Sequence, residues 1–189
     1  NLAIIGSSSI IEEHIKVALY CKFKLECIYS PNPKSKNVKM LKKKYKIKRL
    51  FKDLNDFLSH SRKKNCNYII APKLRDNGYY LDECLKSGKK ILIEKPVFLK
   101  SKYFKRYLKY KNKIMVSYNR TYYKSVEKLS EIIFKFDEIL IKCPEKKKDD
   151  IISNSCHLFS ILIYFYPKLE IEYKKKPNIR IFVGWNTKK

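Results

Sequence analysis

Two stretches of this chain combine residue types and spacing suited to chemistry. The first is Glu94-Lys95-Pro96, which follows Ser87-Gly88-Lys89-Lys90 and the apolar run Ile91-Leu92-Ile93. A charged pair stopped by proline directly after a buried strand is an odd device for stability alone. Strand ends in open α/β sheets are where such proteins bind ligands. The second is Gly6-Ser7-Ser8-Ser9-Ile10-Ile11, between an apolar run and residues at helical spacing. A dinucleotide-binding sheet puts its phosphate loop at this point, where free N–H groups and the positive helix end face the anion. That loop uses three glycines. Here Gly6 holds the first position, Ser8 the second and Ile11 the third, and the Ser8 hydroxyl could donate to phosphate. The same residues equally describe a serine-capped helix after a strand.

The elements that must position these residues follow from periodicity. Leu2–Ile5, Leu25–Tyr29, Tyr68–Ala71, Ile91–Ile93 and Lys113–Ser117 are short apolar runs, the pattern of strands buried on both faces. Pro31 and Pro33 close the second run and Pro72 the third. Ile10, Ile11, Ile15, Ala18 and Leu19 recur at helical spacing, and helices are expected over 34–45, 53–58, 79–87 and 101–109. Gly88 stands where a helix takes a left-handed cap. Strands alternating with helices predict an α/β fold, a doubly wound parallel sheet of Rossmann type, over residues 1–118. Beyond it the pattern shifts to an abbreviated α+β domain over 119–189. There a helix over 122–134 would bury Val126, Leu129, Ile132 and Ile133. A strand at 138–143, a charged loop at 144–150, a helix at 151–166 and strands at 168–173 and 179–183 follow.

Composition bounds the partners. The chain has 189 residues, 44% hydrophobic, with 44 Lys+Arg against 18 Asp+Glu and a formal net charge of +26. Such a balance suits polyanions. Yet only six of the 44 are Arg, and Ile, Tyr and Asn are abundant beside only 4 Gly. That joint skew is the mark of an AT-rich coding sequence, and it is the preferred explanation of the charge. No zinc-finger, RNA-recognition or basic-zipper pattern accompanies it, so nucleic acid ranks last among partners. The six cysteines form no C-x-x-C pair and lie scattered among apolar residues, which suits a reducing cytoplasm. The chain opens on a strand-like run with no leader pattern. Its longest apolar stretch, 158–166, is far below the ~20 residues of a membrane span.

Taken together, these landmarks resemble the Gfo/Idh/MocA family of nicotinamide-dependent oxidoreductases. The matching segments are Ile4-Ile5-Gly6-Ser7-Ser8-Ser9-Ile10-Ile11 with His14, then Ile69-Ile70-Ala71-Pro72. Gly88-Lys89-Lys90-Ile91-Leu92-Ile93-Glu94-Lys95-Pro96 follows, and then Ser117-Tyr118-Asn119-Arg120. The family's D-x-x-x-H segment corresponds to Ser153-Asn154-Ser155-Cys156-His157, with serine at the first position, and the aspartate often found three residues after the histidine is Ser160. About seventy residues stand where the family has a large substrate-binding and dimerising sheet, so a homodimer is one expectation.

The resemblance implies hydride transfer between a nicotinamide and a sugar, sugar nucleotide or related polyol. It makes Lys95 and His157 the catalytic candidates. Lys95 would orient substrate and steady developing negative charge, and His157 would shuttle the proton. His157 also reads as a core histidine beside Leu158 and Phe159. His14 is expected to be structural, packing the first helix. The cofactor would lie against Gly6, Ser8, Ser9, Ile10, Ser30, Lys34, Ala71, Pro72, Glu94 and Lys95. NAD enzymes commonly put a carboxylate at the end of the second strand. Here Ser30-Pro31 stands there with Lys34 and Lys36 nearby, so NADP is expected over NAD. No metal is expected. A relative that has lost catalysis and serves as a regulatory or binding subunit is the second reading.

Overall fold

The computed structural model describes residues 1–72, 76–98, 101–133, 155–167, 171–173 and 181–183. The chain separates into two compact units, Asn1–Ser117 and Tyr118–Lys189.

In the first unit, strands β1 (Leu2–Ile5), β2 (Leu25–Tyr29), β3 (Arg49–Phe51), β4 (Asn67–Ile70), β5 (Ile91–Ile93) and β6 (Ile114–Val116) form one sheet. All its pairings are parallel, in the order β3-β2-β1-β4-β5-β6. Helices α1 (Ile10–Tyr20), α2 (Lys36–Lys44), α3 (Leu54–Lys63) and α4 (Asn77–Leu85) connect the strands. Every residue of β1 and β2 is buried, because alternate side chains serve two cores. Leu2 and Ile4 pack with Ile11, Ile15 and Leu41 on one face. Ala3 and Ile5 pack with Phe57, Tyr68, Ile70 and Leu81 on the other. This is the Rossmann arrangement that the alternation predicts.

Several local expectations needed revision. β3 was not anticipated, because its three residues sit among lysines and Arg49 is exposed. α3 runs five residues past its expected Leu58 end, to Lys63. Asp53 caps it by accepting from the Asp56 N–H (2.9 Å), and buried Ser61 bonds the Tyr68 hydroxyl at 2.9 Å. Polar residues thus disguised a helix with a buried stripe. Residues 101–109 form two 3-10 helices, Ser101–Tyr103 and Lys105–Tyr110, rather than an α-helix. Only Tyr107 of the second is buried there, so no apolar stripe supports regular helix. α2 begins two residues late, after Pro33 and Ser35.

The second unit contains a 3-10 turn (Asn119–Tyr122), α5 (Lys124–Ser130), α6 (Cys156–Phe165) and an antiparallel pair, β7 (Ile171–Tyr173) with β8 (Ile181–Val183). Val126, Ile133 and Phe165 make its small core, and the Tyr166 hydroxyl donates to the Ile133 carbonyl at 3.2 Å. α5 is shorter than expected, and Ile132 is exposed rather than buried. The expected strand 138–143, the loop 144–150 and Ser153 lie outside the described residues. No helix among the described residues is long and apolar enough to cross a membrane. Cys27, Cys66 and Cys84 are buried free thiols, and burial pushes each thiol's pKa up, away from reactivity.

The sheet order reverses between β1 and β4, and one glycine permits those strand ends to meet. Gly6 has φ +112°, and a Cβ there would stand 2.4 Å from the Ala71 carbonyl oxygen and 2.8 Å from the Pro72 nitrogen. Gly6→Ala therefore brings both left-handed strain and a backbone collision. We expect it to cost roughly 2–4 kcal/mol, read as a lower Tm in thermal unfolding. A Tm within a degree or so of wild type would contradict that contact.

Candidate functional site

Three adjacent strands end together at the carboxyl edge of the sheet. Ile5 pairs with Ile70 and Ile70 with Ile93, so Gly6, Ala71 and Glu94 are the next residues of neighbouring strands. The ladder continues through them, from the Ala71 N–H to the Ile5 carbonyl (2.9 Å) and the Glu94 N–H to the Ile70 carbonyl (2.8 Å). An open α/β sheet forms its ligand crevice at this kind of reversal point.

The first turn is held from two sides. Ser8 Oγ donates to the Ala71 carbonyl at 2.9 Å. Its hydroxyl proton thus has a protein acceptor in this structure. Asn37 on α2 donates from Nδ2 to the Ser7 carbonyl at 2.6 Å, with a longer 3.4 Å approach to Ser8. Sequence reading missed Asn37, since a lone asparagine in a helix's first turn carries no spacing signal. Ser9 stands at the N-cap but has helical angles and makes no side-chain cap bond. Among the described residues no group accepts from the backbone N–H of Ser8, Ser9 or Ile10. The expected capping is absent, and three donors remain at the head of an 11-residue helix.

At the end of β2, Ser30 is fully buried. Its N–H donates to the Phe51 carbonyl (3.2 Å), and its hydroxyl oxygen accepts from the Asn32 N–H (3.2 Å). Lys34 and Lys36 are exposed beyond it. Glu26, the carboxylate within β2, sits at the strand's start. It is buried there against Lys48 and His60, each at 3.1 Å, and it does not face this edge.

Glu94 is anchored more firmly than its tripeptide suggests. Its Oε1 lies 2.7 Å from His14 Nε2, and both side chains are largely buried. His14, on α1, is the partner of this carboxylate. Glu94 Oε2 accepts from the Lys95 N–H at 3.3 Å. Burial pushes the Glu94 carboxyl upward, yet the His14 hydrogen bond and charge, with Ser117 and the Lys95 N–H, outweigh it. The net result lies below the ordinary 4.5. Lys95 is half-buried, and its bond to buried Pro96 is cis. In the second unit, His157 is 5% exposed on α6, and its ring meets the Tyr118 ring edge-on at 6.4 Å. Ser160 Oγ donates to the His157 carbonyl at 2.7 Å. Lys95 and His157 thus belong to different units. No metal-holding group of His, Cys, Asp or Glu occurs among the described residues. A groove of about 530 Å³ lies elsewhere, on the sheet face between α1 and β4–β6. Val17, Phe23, Leu92 and Met115 line it, and His14, the partner of Glu94, borders it.

Because folding lowers the Glu94 pKa, its ionised form contributes stability above the unfolded value near 4.5, and that contribution is lost as pH falls through the folded value. Glu94→Gln should cost roughly 1–3 kcal/mol at pH 7. The gap to wild type should close in acid, below the ordinary carboxyl value. Denaturant titrations across that range check it, and a gap constant from neutral to acid would contradict the assignment.

Residues 1–119 match the oxidoreductase family with an NAD-binding Rossmann fold, Gfo/Idh/MocA. Among curated proteins none matches the sequence. Solved structures share the fold. One is the WlbA (WbpB) dehydrogenase of Thermus thermophilus in complex with NAD and UDP-GlcNAcA, at 15% identity and TM-score 0.75. The alignment covers 94% of this chain and 66% of that one. Another is scyllo-inositol dehydrogenase of Lactobacillus casei with bound NAD(H) and scyllo-inositol, at 17% identity and TM-score 0.72. It covers 91% and 57%. A third is myo-inositol 2-dehydrogenase of Lactobacillus plantarum, at 14% identity, TM-score 0.73 and the same coverage. This chain thus spans somewhat under two thirds of the length of these structures. The matched segment takes in the whole six-stranded sheet with Gly6, Ala71 and Glu94-Lys95-Pro96, and the chain belongs to the Gfo/Idh/MocA oxidoreductase family.

Proposed function

We propose that the chain binds a nicotinamide dinucleotide along the carboxyl edge of its sheet and acts on a sugar, sugar nucleotide or related polyol. The carrying observation is the convergence of Gly6, Ala71 and Glu94 on three neighbouring strand ends, with Lys95 next in line. The donor set fits a pyrophosphate: unpaired N–H groups of Ser8, Ser9 and Ile10 at the positive end of α1. Gly6, Ala71 and Pro72 form the floor of that turn, while Ser30 and Lys34 flank the ribose end. When bound, the cofactor supplies the hydride donor or acceptor.

The protein's own contribution is positioning and charge. Lys95 Nζ binds the substrate oxygen and stabilises negative charge developing on it. Glu94 holds the Lys95 backbone through its N–H and is itself held by His14. His157 gives or takes the hydroxyl proton, as the family pattern suggests. The two-unit division suits a dinucleotide domain followed by a substrate domain. Solved relatives crystallised with UDP-GlcNAcA and scyllo-inositol support this substrate class. The commitment of the Ser8 hydroxyl and the burial of Ile11, where a glycine is expected, favour the second reading, a binding subunit without turnover.

Lys95→Ala should lower turnover by on the order of a hundredfold or more with cofactor affinity unchanged. The assay follows reduced-nicotinamide absorbance with a panel of sugars, sugar nucleotides and cyclitols. Full activity in the variant refutes the role of Lys95, while cofactor binding without turnover in wild type supports the subunit reading. The second prediction concerns the cofactor. No carboxylate occurs between Ser30 and Lys36, and Lys34 and Lys36 are exposed there. NADP should bind roughly tenfold more tightly than NAD by calorimetry, a difference of about 1.4 kcal/mol. Lys34→Glu should erase the preference, and tighter NAD binding by wild type sinks the idea.

A further inference from the structure

We propose that Asn77 is a positioning residue for Lys95. The inference rests on the reading of Lys95 as the substrate-facing lysine. Asn77 is the first residue of α4 and is 1% exposed. Its Nδ2 donates to the carbonyl of Glu94 at 3.1 Å and to the carbonyl of Pro96 at 3.0 Å. One amide nitrogen therefore straddles Lys95, holding the chain just before it and just after it. Both partners are pure acceptors, which fixes the orientation of the amide: the flipped form would set Oδ1 against two carbonyl oxygens.

The rest of the side chain shows what it is for. Asn77 Oδ1 is buried and accepts no hydrogen bond from the described residues. An unpaired buried acceptor disfavours folding. A residue chosen only for stability would avoid it, whereas a residue chosen for two donors on one atom cannot. Aspartate would offer carboxylate oxygens to carbonyls, and serine would offer a single donor. The neighbouring geometry brings α4 close enough for this grip. A Cβ on Gly78 would stand 2.8 Å from Phe98 Cε1, and Phe98 stacks on Tyr107 at 4.8 Å. The segment after Pro96 is thereby packed, while His14 fixes the Glu94 carboxylate at 2.7 Å. The backbone is thus held on both sides of Lys95, which sets where its Cα–Cβ bond starts.

The test compares Asn77→Ala and Asn77→Ser with wild type in the full chain. Lys95 is labelled with acetic anhydride across a pH series, and mass spectrometry follows its rate against Lys89 and Lys90 as internal references. Asn77→Ala should change the relative Lys95 rate by about fivefold or more, and Asn77→Ser should change it less in the same direction, with circular dichroism retained. An unchanged relative rate in folded variants overturns the proposal. If Asn77→Ala does not fold, Asn77→Ser decides. If neither folds, Asn77 is structural and the proposal fails. Titrating wild type with NADH and NADPH, followed by nicotinamide fluorescence, separates the two readings. No binding removes the oxidoreductase reading, while the Lys95 labelling still judges Asn77.

Discussion

The structure depends on the close approach of two strand ends. Gly6 and the Ala71-Pro72 backbone come nearer than any side chain would allow, and the sheet order reverses at that same place. The consequences spread outward. With β1 and β4 in direct contact, Ser8 reaches the Ala71 carbonyl and α1 starts over the sheet edge. With β5 paired to β4, Glu94 then falls within reach of His14 on that helix. A single position without a Cβ thus sets the distance between the turn at Ser7–Ser9 and the turn that carries Lys95. The other two glycines usually expected in such a loop are absent. The contact that the first one makes is protein against protein, so its loss would be felt by the fold before any ligand arrived.

The sheet was legible because its strands are buried on both faces. A run such as Leu2–Ile5 can satisfy that demand only with continuous apolar residues, and the helices between such runs fix a parallel topology. Legibility failed where burial is partial or carried by polar atoms. β3 is a short edge strand with an exposed Arg49, and α3 hides its inward face behind Ser61. At the site, the residue types were visible but their partners were not. His14, Asn37 and Asn77 lie from 17 to 80 positions from the groups they hold. No local period encodes such a pairing. Ser8 shows the same gap from the other side: its hydroxyl is legible as a donor, but its acceptor, the Ala71 carbonyl 63 positions away, is not.

The positive charge also divides once contacts are known. Lys16, Lys44 and Lys86 pair with carboxylates at the surface, where such exposed pairs contribute little, while Lys48 reaches the buried Glu26. Lys36, Lys39, Lys42 and Lys43 stand exposed along α2. Among the described residues, exposed lysines fall on more than one helix, and α2, which carries these four, follows the end of β2. A general lysine surplus and a specific pull on an anionic cofactor can therefore coexist, since the second needs only that no carboxylate oppose it there.

Glu94-Lys95-Pro96 finally takes its meaning from what surrounds it. Burying a carboxylate is poor support for stability, because desolvation offsets much of what its partners return. Here that cost is met by His14 from α1, Ser117 beyond β6 and the Lys95 N–H, while Asn77 from α4 holds the flanking backbone. Three separate elements, α1, α4 and the segment beyond β6, thus converge on three residues. An apolar strand end would close this edge of the sheet with less cost. What these contacts hold in common is the backbone on both sides of Lys95.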